Sequence, residues 1–242
     1  MRKKFLLNVG AEKAGTTWLY NYFKNHPDFY DLGKEWNSIQ RDDLVPTHGI
    51  KYYSFKDDLE SYFDTISAIP KVTGDFTHYE GSTPNIYKLL IDGLQSRNIE
   101  VVPVYIMRDP IDRAWSCWNM LGGGDYSNLP AAAHLLAKSY LNCKYKETIE
   151  ALNLISSPLY FFYESFFRQE SLDTICDALN INKVVANTAV YINKGRYSER
   201  VPSSFAEKFG TTAKNIEAVY YIMENFENVP WNIQNYVARD YT

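Results

Sequence analysis

The amino-acid sequence predicts an α/β fold, a three-layer sandwich in which helices flank a central parallel sheet. Short apolar runs at 4–9, 101–107 and 158–163 are typical of buried strands, and each precedes a segment with apolar residues at helical spacing. Strands that alternate with helices indicate a parallel sheet, whose ligands bind beyond the carboxyl ends of the strands. A chain of 242 residues with 45% hydrophobic side chains can bury one such core, so we expect a single domain over residues 1–242.

The first two strand and helix units have the clearest boundaries. The run at 4–9 precedes a helix predicted over 16–25, where large apolar side chains recur at helical spacing until a proline ends the pattern. The run at 101–107 precedes Asp109, the predicted N-cap, and Pro110, the predicted first helical residue. That helix is expected to continue to three consecutive glycines.

Three other elements have shorter signals. The run at 158–163 is followed by a helix predicted to start near Ser171, and a fourth short strand is predicted at 71–73. A packing helix near the C-terminus is predicted from apolar residues at helical spacing, namely Ile216, Val219, Tyr220 and Met223.

Composition argues against several classes of function. A net charge of −4 is unlike that of a nucleic-acid binder, which usually has a basic face. The three cysteines, Cys117, Cys143 and Cys176, are odd in number and widely spaced, which favours buried thiols over a disulfide framework or a zinc site. The apolar run 5–7 is too short for a secretion signal or a membrane span. We therefore expect a cytoplasmic protein without nucleic-acid or membrane partners.

The turn after the first strand has the features of a phosphate-binding loop. Gly10 and Gly15 have the separation found in G-x-x-x-x-G-K-[ST], and the positive end of the following helix attracts anions. The residue after Gly15 is Thr16, however, and the lysine of the loop is Lys13, two residues before the glycine. This displaced lysine indicates a site for a shorter phosphate group that needs no metal ion.

The letters KAGTTWL at this turn resemble the 5′-phosphosulfate loop of the sulfotransferase family, K-x-G-T-T-W-L. The resemblance implies a P-loop-like fold and the donor 3′-phosphoadenosine 5′-phosphosulfate (PAPS), which leaves as 3′-phosphoadenosine 5′-phosphate (PAP). Lys13 would contact the leaving oxygen, and Trp18 would lie near the adenine unless it belongs to the core. The 5′-phosphate would be held by Ala14, Gly15, Thr16 and Thr17.

The letters RDPIDRAWS after the second long strand resemble the 3′-phosphate motif of the same family, R-[DN]-P-x-x-R-x-x-S. Arg108 and Ser116 are the implied binding pair, because a guanidinium presents a planar fork of donors and a serine adds a hydroxyl. Arg113 has two interpretations. It contacts the donor, or it braces the helix through Asp109 or Asp112, and we favour the brace.

Two weaker matches extend the resemblance over most of the first two hundred residues. Tyr163, in PLYFFYE, resembles the tyrosine of a family strand that reaches the adenine, although it could equally pack. The letters NKGR resemble a loop that closes over the donor, with a solvated turn as the alternative; its donor contacts would be Lys194, Gly195 and Arg196.

The catalytic base is predicted from the carbohydrate branch of the family, of the heparan type. In that branch a glutamate after the loop helix takes the proton of the acceptor, and Glu35 lies in the corresponding region. His78 and His48 are the alternatives, since another branch uses a histidine. His78 lies in GDFTHY, which resembles the family segment G-E-K-[TS]-P-x-Y, and Phe76 replaces the lysine of some glycan-modifying members.

The resemblance thus implies an enzyme that transfers a sulfuryl group from PAPS to a hydroxyl or amine, on a carbohydrate or a small hydroxylated molecule. Two other functions stay open. One is a metal-using phosphoryl transferase of the P-loop kinase type, for which the lysine and magnesium ligand after Gly15 are out of register. The other is a catalytically inactive nucleotide-binding protein.

Overall fold

A computed structural model describes residues 2–34, 55–77, 79, 84–120, 143–186, 201–203, 205–206, 213–232 and 236. Its strands are β1 (Lys3–Gly10), β2 (Phe29–Tyr30), β3 (Val72–Asp75), β4 (Ile99–Met107) and β5 (Leu159–Phe162). Its helices are α1 (Thr16–Lys24), α2 (Phe55–Ala68), α3 (Pro84–Gln95), α4 (Pro110–Met120), α5 (Tyr145–Asn153), α6 (Tyr163–Phe166), α7 (Gln169–Leu179) and α8 (Ala213–Asn225).

The five strands described form one sheet in the order β2-β3-β1-β4-β5, and every pair is parallel. The predicted α/β class is confirmed, with helices packed against the sheet. β1 lies in the middle, with Leu7 opposite Asp75 on one side and Pro103 on the other. Six of its eight residues are buried, as expected for a strand covered on both faces.

The predicted elements are found with small shifts of their ends. The short strand predicted at 71–73 begins at Val72 and continues through Gly74 to Asp75. The helix predicted near Ser171 begins two residues earlier, at Gln169. α4 begins at Pro110 as predicted and is described to Met120, so the glycines expected to end it lie outside the described residues.

The packing helix predicted near the C-terminus is found as α8, with Val219 buried and Met223 partly buried against the core. One predicted residue, Tyr220, is 42% exposed, whereas the buried residues in the described part of this helix, 215–225, are Asn215, Ala218, Val219 and Ile222. Burial of the polar Asn215 side chain is tolerated because its Oδ1 accepts a hydrogen bond from the backbone N–H of Cys143 (3.1 Å), next to α5. A search for apolar residues at helical spacing does not find a face that contains a hydrogen-bonded asparagine.

Among the described helices, none has the length and hydropathy of a membrane span. The three cysteines are buried thiols, as predicted.

Gly74 permits the close approach of β3 to β1. A Cβ at this position would lie 2.6 Å from the Leu6 carbonyl oxygen and 2.8 Å from the Leu6 Cβ, both on the neighbouring strand. Neither atom can move without shifting the central strand of the sheet.

Gly74→Ala is expected to lower the free energy of unfolding by about 1–3 kcal/mol, the usual cost of overpacking a core. Urea unfolding followed by circular dichroism measures it. The control is Glu224→Ala on the exposed side of α8, which should change the value by less than about 0.5 kcal/mol. Equal effects of the two variants would contradict the close approach.

Candidate functional site

The loop between β1 and α1 adopts the shape that a phosphate loop requires. Gly15 has φ of +88°, and a Cβ there would lie 2.7 Å from the Phe167 ring, so glycine is needed for conformation and for space. Lys13 also lies in the left-handed region, with φ of 65°. The helix begins at Thr16 directly after this turn, so its first N–H groups have no intrahelical acceptor.

The carbonyl groups of the loop are held by two arginines from the region after β4. Arg108 Nη1 donates to the carbonyl of Lys13 (2.9 Å), and Arg113 Nε donates to the carbonyl of Glu12 (2.9 Å). Arg113 thus braces the loop through the Glu12 carbonyl, whereas the predicted brace was through Asp109 or Asp112. The N–H of Ala14 is also engaged within the loop, since it donates to the Ala11 carbonyl (3.1 Å).

The guanidinium of Arg108 lies over an aromatic ring. Its Cζ is 4.2 Å from the centroid of the Tyr163 ring, and this ring also borders Gly15. The Nε of Arg108 is buried and has no hydrogen-bond acceptor among the residues described. A buried donor without an acceptor is costly, and a bound anion would supply the missing partner.

One face of α4 points toward the loop. Arg113 on this helix contacts Glu12, and Lys13 Nζ lies 3.4 Å from the sulfur of Met120. Ser116 is half-buried and lies between these contacts, three residues after the first and four before the second. Helical geometry therefore places its hydroxyl on the same face as Arg113 and Met120.

Asp109 is the N-cap of α4, as predicted. Its Oδ1 accepts hydrogen bonds from the N–H groups of Ile111 (2.9 Å) and Asp112 (3.3 Å). The same oxygen accepts a third bond from the hydroxyl of Tyr236 (2.6 Å). Sequence reasoning missed Tyr236, because a tyrosine 127 positions away carries no local signal for this contact.

A buried carboxylate shapes the segment after β3. Asp75 Oδ2 accepts hydrogen bonds from the hydroxyls of Tyr62 (3.1 Å) and Tyr79 (2.8 Å), and Oδ1 accepts one from the N–H of Thr77 (2.8 Å). Burial raises the pKa of Asp75. Tyr79 in turn donates its N–H to the Val9 carbonyl (2.9 Å) and so joins this segment to the end of β1.

Phe76 occupies the position where some glycan-modifying members of the family that this sequence resembles carry a lysine. Its side chain is fully buried, with ring contacts to Phe29 (6.2 Å) and Tyr20 (5.3 Å). This position therefore belongs to the core and offers no charge to an acceptor.

The structure brings together the loop with Lys13 and the residues Arg108, Ser116 and Tyr163. Trp18 is 6% exposed, and its ring meets Phe167 edge to face at 5.2 Å. The other predicted site residues lie outside the described residues: Glu35, His48, His78, Lys194, Gly195 and Arg196.

A separate surface depression of about 460 Å³ is lined by Asp28, Val72, Asn180 and Asn182, among others. Val72 is the first residue of β3, so this depression lies at the amino end of the strand. The loop and Arg108 lie at the carboxyl ends of β1 and β4. The depression and the candidate site therefore lie at opposite edges of the sheet.

The sequence matches no protein-family model and no curated protein. Solved structures give likenesses of fold. The sulfotransferase domain of the Synechococcus PCC 7002 olefin synthase is 14% identical, with a TM-score of 0.50 over 92% of this chain and 93% of that one. The sulfotransferase domain from the curacin biosynthetic pathway is 12% identical, with a TM-score of 0.52 over 92% and 97%.

A mouse sulfotransferase, SULT7A1, in a crystal structure complexed with PAP, is 20% identical with a TM-score of 0.43. The match covers 78% of this chain, which spans 61% of the mouse protein. The two bacterial likenesses show that this chain has the fold of sulfotransferase domains, and the predicted P-loop-like α/β sandwich is confirmed.

Asp75→Asn is expected to alter the pH dependence of stability. The folded protein retains the Asp75 proton at pH values where the unfolded chain, with a pKa near 3.8, has released it. The stability that this carboxyl contributes is therefore full below the unfolded pKa and lost as the pH rises through the folded pKa.

The free energy of unfolding of the wild type, relative to Asp75→Asn, should accordingly fall as the pH rises above the unfolded pKa near 3.8. Urea titrations across this range measure the difference. Asp92→Asn, at a solvent-exposed ion pair on α3, is the control and should follow the wild type. Parallel curves for the wild type and Asp75→Asn would contradict the raised pKa.

Proposed function

We propose that this protein is a PAPS-dependent sulfotransferase, which moves the sulfuryl group of PAPS to an acceptor hydroxyl or amine. The observation that carries the proposal is the junction at Arg108. One guanidinium holds the carbonyl of the loop lysine, lies on the Tyr163 ring and retains a buried N–H without an acceptor among the described residues. A fold shared with sulfotransferase domains supports the same conclusion.

The two phosphate groups of the donor would bind at the two turns. The first N–H groups of α1 and the hydroxyls of Thr16 and Thr17 would hold the 5′-phosphate, with Gly15 permitting close approach. Arg108 and Ser116 would hold the 3′-phosphate, because both belong to the region that faces the loop. A nucleotide with phosphates on both sides fits this pair of sites better than ADP does.

The transfer itself would be an in-line displacement at sulfur. The acceptor atom forms a bond to sulfur as the bond from sulfur to the bridging phosphate oxygen breaks, and PAP leaves. Lys13 Nζ, next to the uncharged Met120 sulfur, would stabilise the charge that develops on this oxygen. Glu35 would take the acceptor proton, with His78 as the alternative base. No metal ion is required by this scheme.

For the acceptor we propose a carbohydrate hydroxyl or amine, with a small hydroxylated molecule as the second choice. Phe76, a buried and uncharged side chain, stands where some glycan-modifying members carry a lysine that would contact a polyanion. An acceptor of low charge therefore fits this chain better. Lys194, Gly195 and Arg196 would close over the bound donor. We also propose a cytoplasmic location, which suits three buried thiols.

Arg108→Ala is expected to weaken PAP binding by at least about tenfold, since hydrogen bonds to charged groups are worth about 1.5–3 kcal/mol. Calorimetry without magnesium measures the Kd, with ADP as the comparison ligand. Arg97→Ala is the matched control, because its guanidinium pairs with Glu60 and Asp64 on the surface. Absence of PAP binding by the wild type, or a preference for ADP with magnesium, would return the kinase alternative to first place.

Glu35→Gln is expected to lower kcat by about 10²-fold or more while the Kd for PAP stays unchanged, because a general base acts only in the chemical step. Single-turnover assays with PAPS and a panel of sugar and phenol acceptors measure it. Lys13→Ala serves as the positive control, with a similar or larger loss of kcat. Full activity of Glu35→Gln would exclude this base, and a loss in His78→Ala would then identify the histidine.

A further inference from the structure

The peptide bond between Arg108 and Asp109 is held from both of its polar ends. Its carbonyl, on Arg108, accepts a hydrogen bond from the hydroxyl of Tyr145 (2.6 Å). Its N–H, on Asp109, donates to Oε1 of Glu164 (2.9 Å). The two bonds fix the backbone at the end of β4, where the Arg108 side chain begins.

Glu164 is itself held by a third group. Its Oε2 accepts a hydrogen bond from the indole Nε1 of Trp231 (3.1 Å). The indole is 6% exposed and packs against the rings of Phe162 (5.4 Å) and Tyr145 (5.8 Å). The carboxylate therefore connects two N–H groups that are both fixed, one in the turn after β4 and one beyond α8.

Consecutive residues after β5 thus act on the same arginine in different ways. Tyr163 lies under the Arg108 guanidinium, whereas Glu164 holds the peptide bond that follows Arg108. An arginine that is held both at its backbone and at its guanidinium loses little further conformational entropy when an anion binds.

We infer that Glu164 is a positioning residue for the donor, which holds the turn after β4 and so keeps Arg108 in place for the 3′-phosphate. The inference rests on the proposed function for the identity of the anion. A carboxylate matches this position because both described partners of its oxygens, the Asp109 N–H and the Trp231 Nε1–H, are donors. A glutamine has one acceptor oxygen, so its NH₂ group would face either the Asp109 N–H or the Trp231 N–H.

This match of one carboxylate with two donors leads to a rescue experiment. Glu164→Gln should weaken PAP binding by about tenfold, the loss expected for one hydrogen bond to a charged group. Trp231→Phe removes the second donor, so the double variant Glu164→Gln with Trp231→Phe should recover most of the affinity, because the amide oxygen can then accept from Asp109. Trp231→Phe should not rescue Glu164→Ala, which has no acceptor.

Two measurements separate positioning from a general loss of structure. The Kd for PAP is measured by calorimetry, and the exchange of the Asp109 amide hydrogen is measured without nucleotide. Exchange should be faster in Glu164→Gln and slow again in the double variant. Glu170→Gln, an exposed acid on α7, is the matched control and should change neither quantity.

The inference is overturned if Glu164→Gln matches the wild type in both measurements, or if Trp231→Phe improves Glu164→Ala as much as Glu164→Gln. Failure of the proposed function is distinguishable from either result. In that case the wild type does not bind PAP, while the amide exchange still reports whether Glu164 holds the turn.

Discussion

The hydrogen bonds from Arg108 and Arg113 to the carbonyls of Lys13 and Glu12 are the constraint on which the site depends. They join the loop after β1 to the turn and helix after β4. The two strands are parallel neighbours, so their carboxyl ends meet, and a guanidinium can span the gap. Because a guanidinium has five N–H donors, Arg108 can hold a carbonyl and still bind an anion.

The surroundings of Arg108 leave its charge available. The described contacts of its guanidinium are a backbone carbonyl and the face of the Tyr163 ring, and neither carries a full negative charge. Arg113 is likewise within 5.7 Å of the ring of Tyr145. Aromatic faces stabilise a cation without neutralising it. A chain with a net charge of −4 can in this way build a local site for a phosphate group.

The parts of the site that could be predicted from sequence are local in the chain. The glycine turn, the strand before it and the Asp109 cap depend on residues within a few positions of one another, and all three are found. Tyr145 and Glu164 could not be predicted in the same way. They reach the Arg108 turn across 37 and 55 positions, and which distant residue meets that turn is decided by the sheet order.

The tryptophan of the loop motif is explained by packing. Trp18 lies edge to face against Phe166 and Phe167, and Phe167 also contacts the space that a side chain at Gly15 would occupy. One aromatic ring therefore supports both the glycine turn and the helix that follows it. Trp18 stabilises the loop through its contact with Phe167. Under the proposed function, contact with the adenine would then fall to Tyr163, whose ring borders Gly15 and lies against the Arg108 guanidinium.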